Sequence, residues 1–115
     1  MKKDTIRAIL LEPGKDPREV EVDPGIESLK QIVAGQVEAT CPFGDRPEIV
    51  AITNAFAILE YLPPNRWIKN ANGECWNGFA GNVLFCAADE DGDLADLTFR
   101  ELDPAWLEDR LPRFQ

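Results

Sequence analysis

The residues best suited to hold a charged ligand lie together near the middle of the chain. Four neighbours combine two cations, an indole ring and an amide: Asn65, Arg66, Trp67 and Lys69. The two cations are the only positive charges in residues 48–98. A guanidinium beside an indole can hold a phosphate or carboxylate through paired hydrogen bonds and stacking. The alternative interpretation is structural, with Asn65 capping a turn and Arg66 paired to a neighbouring acid.

A second charged group is acidic and lies in the C-terminal third. Residues 89–109, which we call the acidic segment, carry nine acids and one base in a chain of net charge −9. Such a surface repels nucleic-acid phosphates and attracts basic proteins, so we expect a basic partner and no direct binding of nucleic acid. The candidate contact residues are Asp89, Glu90, Asp91, Asp93 and Asp96. Alternatively, these acids serve only solubility.

Several kinds of chemistry are disfavoured by composition. The chain has no histidine, which removes Ser-His and Cys-His catalysis and ordinary Cys/His zinc sites. Its three cysteines, Cys41, Cys75 and Cys86, are widely spaced, which indicates reduced thiols. The DEDGD stretch at residues 89–93 lacks the ligand spacing of a calcium loop. We therefore expect no catalytic residues, no metal and no cofactor, and so a protein that is not an enzyme.

Length and composition predict one domain. The chain has 115 residues, of which 44% are hydrophobic and 29% charged, which suits a single core. No apolar run approaches the roughly 20 residues needed to cross a bilayer, and the N-terminal residues do not resemble a signal peptide. We expect a cytoplasmic domain over residues 1–115, with no membrane contact and an oligomeric state left open.

The N-terminal half has clear secondary-structure signals. Residues 5–12 are β-branched and aliphatic, and residues 18–22 alternate, which predicts two strands joined by a turn. Asp23-Pro24 predicts the start of a helix that ends at Gly35. Residues 37–41 predict another strand, with Cys41 directed into the core.

The second half has one ambiguous segment. Residues 48–62 fit either one helix or two strands, 48–53 and 57–62, and the β-branched residues of its first half favour strands. Beyond it, Asn72-Gly73 predicts a tight turn and Asn77-Gly78 a second turn or a bulge. Residues 81–88 predict a strand, and Asp103-Pro104 opens a helix over residues 105–111. The fold class is therefore α+β, with a mixed or mostly antiparallel sheet of about five strands and two helices packed on it.

The order of these elements resembles the domain-of-unknown-function family 3846. The matching pieces are Glu12-Pro13-Gly14, Ser28-Leu29-Lys30, Pro64-Asn65-Arg66, and Ala80-Gly81-Asn82 with Phe85. The resemblance covers nearly the whole chain and supplies no catalytic residues. It implies an accessory protein of bacteriophages, plasmids or bacterial genomes.

Two hypotheses for function follow. The preferred one is a non-enzymatic interaction protein whose acidic segment engages a basic host protein, in one form as a nucleic-acid mimic or anti-defence factor. The alternative is a protein that binds or sequesters a nucleotide-like anion through Arg66, Lys69 and Trp67.

Overall fold

The computed structural model describes residues 5–114, which form eight strands and two helices. The elements are β1 (Ile6–Leu11), β2 (Arg18–Val22), α1 (Ile26–Val33), β3 (Val37–Thr40), β4 (Ile49–Asn54), β5 (Pro64–Lys69), β6 (Cys75–Ala80), β7 (Val83–Ala88), β8 (Leu94–Ala95) and α2 (Pro104–Arg110). In this part of the chain, no helix has the length and apolar character required to span a membrane.

Six strands form one antiparallel sheet. Five of them lie in the order β2-β1-β7-β4-β3, and β8 pairs with the end of β7. In the centre of the sheet, Phe85 of β7 lies opposite Ile9 on one side and Ala51 on the other. The remaining strands, β5 and β6, form a separate hairpin. The predicted α+β class is confirmed, with two helices and more strands than the five expected.

The central strands are buried on both faces, as their continuous apolar sequences predict. All six residues of β4 are buried. Alternate side chains therefore enter two separate cores, because successive residues of a strand point to opposite faces. Val50 and Ile52 belong to the core beneath α1, whereas Ile49 and Ala51 belong to the core beneath the β5–β6 hairpin and α2.

The first core is closed by α1, whose buried residues are Leu29 and Val33. The helix begins at Ile26, two residues later than predicted. The carboxylate of Asp23 accepts a hydrogen bond from the Gly25 N–H at 2.7 Å, so it caps the chain just before the helix. The helix ends at Val33 because Ala34 takes a left-handed conformation with φ 60°.

The second core is closed by the hairpin and by α2. Phe79 of β6 packs edge-to-face on Phe85 with ring centroids 6.0 Å apart, and Leu107 of α2 is fully buried beside them. The helix α2 starts as predicted, since Asp103 accepts a hydrogen bond from the Ala105 N–H at 2.9 Å and Pro104 is its first residue. The molecule thus has three layers, with the large sheet in the middle.

The segment at residues 48–62 contains one strand and no helix. Its first half is β4, as favoured, but the second predicted strand at 57–62 is wrong, because residues 55–61 form a series of turns. The strand ends at Asn54, whose side-chain oxygen accepts a hydrogen bond from the Phe56 N–H at 2.8 Å. This bond turns the chain away from the sheet, so the residues that follow cannot pair with another strand.

Two other local predictions are wrong. Cys41 is exposed, because β3 ends at Thr40 and the alternation that would direct this residue into the core does not continue past the strand. The turn predicted at Asn77-Gly78 is absent, because both residues lie inside β6; one register irregularity of the hairpin adjoins them at Trp76, and a second lies near Asn65. The turn at Asn72-Gly73 is confirmed, because Gly73 has φ 87° between the paired strands β5 and β6.

Candidate functional site

The Asn65–Arg66 pair lies inside the protein. Arg66 is only 1% exposed. Its guanidinium donates to the backbone oxygen of Asn65 at 3.1 Å, to the side-chain oxygen of Asn65 at 2.8 Å, and to the backbone oxygen of Lys15. Burial lowers the pKa of Arg66 below its ordinary value, and the neighbouring Arg113 lowers it further. The side chain serves to join β5 to the turn that follows β1.

Asn65, Gly81 and Asn82, three of the residues that carry the family resemblance, form hydrogen bonds around this junction. Asn65 donates from its side-chain nitrogen to the backbone oxygens of Leu11, at 2.9 Å, and Gly81, at 2.8 Å. The N–H of Gly81 donates in turn to the oxygen of Pro63 at 2.7 Å. Asn82 donates to the Ile32 oxygen at the end of α1 at 3.1 Å. Pieces that are distant in sequence thus hold strands and a helix together.

The four predicted anion-binding residues do not converge on one concavity. Trp67 points away from the core and stacks on Phe114, with ring centroids 4.4 Å apart. The amine of Lys69 forms an ion pair with Asp109 at 3.6 Å. The hydrogen bonds of the buried Arg66 go to protein oxygens. The geometry therefore matches the structural interpretation in that Arg66 is internal, although its partners are mainly carbonyl oxygens and not a carboxylate.

The most unusual surface of the described chain is apolar. Large hydrophobic side chains are exposed on the turns after β4 and on the hairpin, and we call them the apolar surface: Phe56, Ile58, Leu59, Tyr61, Trp67 and Trp76. Tyr61 is 93% exposed, Ile58 78% and Leu59 75%. Scattered apolar side chains are normal on protein surfaces, but contiguous patches mark contact sites.

Two grooves divide this surface. The first has a volume of about 290 Å³ and lies between β3 and β6, with Thr40 on one side and Trp76 on the other. The second has a volume of about 490 Å³ and lies between Tyr61 and the stacked Trp67 and Phe114. Ile58 contributes to both, so the grooves adjoin. Among the described residues that line them, Glu38 is the one charged side chain.

The turns that display the apolar surface are fixed in place by Asn54. This residue is 3% exposed, and its amide nitrogen donates to the oxygens of Val33 and Ala34 and to the Glu60 carboxylate at 3.1–3.3 Å. Within the turns, the Leu62 N–H donates to the Ala57 oxygen at 3.0 Å. The exposed side chains are thus carried by hydrogen-bonded backbone that is tied to the end of α1.

The acidic loop is built like the loop of the β5–β6 hairpin. The side-chain oxygen of Asp89 accepts from the N–H groups of Asp91 and Asp93, both at 2.9 Å. The side-chain oxygen of Asn70 accepts equally from residues 72 and 74, and each loop has a glycine of positive φ at its fourth position. Asp89 therefore has a structural role in its own loop.

The other predicted contact acids are exposed. Glu90, Asp91 and Asp93 form no ion pair within the described part of the chain. Asp96 accepts a hydrogen bond from the Arg7 N–H at 2.9 Å. At the far end of the acidic segment, Asp109 is paired with Lys69 and Glu108 with Arg113. The strongest unpaired negative charge therefore lies at the loop.

The acidic and thiol side chains of residues 5–114 are the remaining candidates for metal binding or thiol chemistry. No group of three or more acidic, cysteine or histidine side chains is positioned to hold a metal ion there. Cys86 is buried, and desolvation raises the pKa of its thiol to about 12, which keeps it protonated and unreactive at neutral pH. Cys41 and Cys75 are exposed, and Cys41 lines the first groove.

Few features of the sequence indicate the apolar surface. Ile58, Leu59 and Tyr61 follow a strand and continue its apolar composition, which favours a second strand at residues 57–62 over an exposed series of turns. One available signal was Pro63-Pro64, which limits the length of any strand before it. Another was Asn54, since a polar side chain in an otherwise apolar run favours a turn.

Comparison with known proteins identifies the family alone. A family model described as "Domain of unknown function (DUF3846)" matches residues 6–110, which is nearly the whole chain and confirms the resemblance. No curated protein and no solved structure matches the chain.

Proposed function

The chain belongs to the family of the domain of unknown function DUF3846, and from this premise we propose that it acts as an interaction protein that binds a basic protein partner. The single observation that carries the proposal is the apolar surface. Tyrosine, tryptophan and aliphatic side chains stand exposed and contiguous around two grooves. Tyr and Trp are the residue types most enriched at the energetic centres of protein interfaces.

The sign of the partner's charge follows from the chain's own electrostatics. The net charge is −9, the loop at residues 89–93 is exposed, and the residues lining the grooves include an acid and no base. Opposite charge accelerates encounter and excludes like-charged competitors, whereas apolar contact supplies most of the affinity. The net negative charge accordingly favours encounter with a basic partner, which the apolar surface then binds. The resemblance to mobile-element accessory proteins suggests that this partner belongs to a bacterial host.

The test removes the apolar side chains without disturbing the core. We choose Ile58→Ser, Leu59→Ser and Tyr61→Asn together, because all three are largely exposed. Asn suits position 61, where φ is 55°. The matched control is Ile26→Ser, which removes an exposed aliphatic side chain from α1, away from both grooves.

Each protein is immobilised, exposed to bacterial lysate and analysed by quantitative mass spectrometry. We expect basic proteins that bind the wild type and the Ile26→Ser control and are lost from the triple variant. Purified candidates are then titrated calorimetrically against the same three proteins. The proposal is wrong if the triple variant, shown to be folded by circular dichroism, retains every partner of the wild type.

A further inference from the structure

The outer edge of the large sheet lies beside the first groove. The edge strand β3 pairs with β4 alone. The Ala55 N–H donates to the oxygen of Gln36 at 2.8 Å, and the register places these two residues opposite each other. Opposite residues of antiparallel strands alternate between hydrogen-bonded and non-hydrogen-bonded pairs. The backbone N–H and C=O groups of Glu38 and Thr40 therefore also form hydrogen bonds with β4. The N–H and C=O groups of Val37 and Ala39 therefore point outwards, away from the sheet.

These outward groups are available for pairing. Ala39 is exposed, and within residues 5–114 no hydrogen bond to its backbone from outside the strand pairing is recorded. An edge strand of this kind is a template on which another chain can add a further strand. With four residues, β3 can pair with a correspondingly short segment.

The groove lies where the side chains of such an added strand would point. Glu38 and Thr40 face the hairpin side of the sheet, and both line the groove. Across it stand Trp76 of β6 and the exposed turns at residues 56–59. Every second side chain of a strand added to β3 would therefore enter this groove of about 290 Å³, whose lining combines apolar side chains such as Trp76 with the polar Glu38 and Thr40.

The opposite edge of the sheet differs. The outer strand β2 carries Arg18, Glu19 and Glu21, which are engaged in ion pairs with residues 7 and 12. Charged side chains on an edge strand protect it against further pairing. No residue of β2 lines either groove of the apolar surface. Among the described strands of this sheet, only β3 combines an unpaired edge with an adjacent groove of the apolar surface.

We propose that β3 is a strand-addition site, which binds an extended segment of the partner with apolar side chains in the first groove and basic side chains beside them. The inference rests on the proposed function and specifies its mode. Glu38 is the charged residue of the groove, and a Lys or Arg opposite it forms a favourable cross-strand pair. A second copy of the chain fits poorly because each copy carries a net charge of −9.

The test uses a displayed library of random peptides of about ten residues, selected on the wild-type protein. We expect enriched sequences in which apolar residues alternate with Lys or Arg. One selected peptide is synthesised in two forms, with free amides and with N-methyl groups on alternate amides. The N-methyl form retains the side chains but cannot donate the hydrogen bonds of an added strand.

Two protein variants at position 39 separate the backbone from the side chain. Ala39→Pro removes the outward N–H and leaves the bonds to β4 in place, whereas Ala39→Val retains that N–H. Loss of one or more backbone hydrogen bonds predicts an affinity about tenfold lower for Ala39→Pro. Ala39→Val should bind within about twofold of the wild type, since it keeps every bond.

The outcomes are distinguishable. Strand addition is overturned if no peptide is enriched, or if the Ala39→Pro variant and the N-methyl peptide both bind normally. If a selected peptide binds Ala39→Pro normally but no longer binds Trp76→Ala, the apolar surface binds by another mode and the proposed function stands. If the peptide also binds Trp76→Ala normally, the result contradicts both strand addition and the proposed function. A wild-type dimer that Ala39→Pro dissociates in analytical ultracentrifugation would replace the partner by a second copy.

Discussion

Arg110 illustrates how the role of an arginine depends on what packs against it. Its guanidinium forms two hydrogen bonds with the Asp45 carboxylate, at 2.8 and 2.9 Å, and donates to the Lys69 oxygen at 3.0 Å. The rings of Phe43 and Trp106 lie on it with centroids 5.2 and 4.9 Å from the guanidinium carbon. One side chain thus joins α2 to the hairpin and to the loop before β4.

Arg110→Ala should therefore destabilise the folded protein. We expect the free energy of unfolding to fall by about 2 to 4 kcal/mol, because a nearly buried cation with a bidentate partner is lost together with its ring contacts. Urea unfolding followed by tryptophan fluorescence measures the change. The control is Arg18→Ala, whose exposed pair with Glu12 predicts a loss below about 1 kcal/mol. Equal losses in the two variants would contradict this account.

The partner of Arg110 makes stability depend on pH. Hydrogen bonding to Arg110 lowers the pKa of Asp45 below its ordinary value of 3.8. The folded state thus favours the charged carboxylate, so its contribution is complete above pH 3.8 and is lost as the pH falls through the lower, folded-state pKa.

Asp45→Asn should remove the contribution of this carboxylate to the pH dependence of stability. On acidification below about pH 4, we expect the free energy of unfolding of the wild type to fall more steeply than that of the variant. Urea titrations of both proteins at several pH values measure the two slopes. Glu48 and Glu101 also have lowered pKa values and remain in both proteins, so the difference isolates Asp45. Parallel slopes would show that the pair with Arg110 does not govern acid stability.

Single residues were the hardest feature to predict from the sequence. The composition around Arg66 indicates an anion site, yet its burial depends on a register irregularity near Asn65 and on Arg113, which bridges to it from the end of the chain. Neither is visible in local sequence. By contrast, the helix start at Asp103 was predicted well, because a helix cap depends on its immediate neighbours.

At the scale of elements, Asn54 holds the exposed turns in place. Asn54→Ala removes its hydrogen bonds to the end of α1, to Glu60 and to the Phe56 N–H. We expect a loss of about 1 to 3 kcal/mol in the free energy of unfolding, since several buried polar groups lose a partner. Amide hydrogen exchange should also accelerate in residues 55–62 more than elsewhere.

The control for this variant is Asn72→Ala, in the exposed loop of the β5–β6 hairpin. The Asn72 side chain is exposed, and the loop is held by Asn70 instead. We expect the control to change stability by less than about 0.5 kcal/mol. If Asn54→Ala left hydrogen exchange in the turns unchanged, the turns would be ordered by something other than this side chain.

Elements with strong periodicity were predicted correctly, and those decided by tertiary contacts were not. The strands β1, β2 and β7 have apolar or alternating sequences, and both helices have local start signals. The segment at residues 57–62 has strand-like composition, but Asn54 turns it out of the sheet. The two hairpin loops share one geometry, although their sequences differ in charge. Asp89, the first residue of DEDGD, therefore has a structural role that the acidic composition of this stretch does not indicate.

For the whole molecule, the fold class was predictable and the arrangement of its layers was not. Alternation assigns side chains to faces of a strand, but it does not say which element covers each face. The hairpin β5–β6 lies over the sheet and leaves β3 and the turns after β4 uncovered. The apolar surface exists because of that incomplete coverage. Function could be inferred only after the position of each layer was known.

The charge distribution gives a prediction at the same scale. Asp89→Asn, Glu90→Gln, Asp91→Asn and Asp93→Asn together change the net charge from −9 to −5. The fold should tolerate them, because Asn70 shows that an amide supports the same loop geometry as Asp89. We expect the free energy of unfolding to stay within about 0.5 kcal/mol of the wild type.

The same variant should bind the selected basic peptide more slowly. If the loop only attracts the partner at a distance, the association rate constant falls about threefold at low salt and the dissociation rate is unchanged. The difference should vanish in about 0.5 M salt, where screening is effective within a few ångströms. Stopped-flow fluorescence of the exposed tryptophans measures both rates. A faster dissociation with an unchanged association rate would instead mean that the acids of the loop contact the partner directly, which would make the acidic loop part of the interface itself.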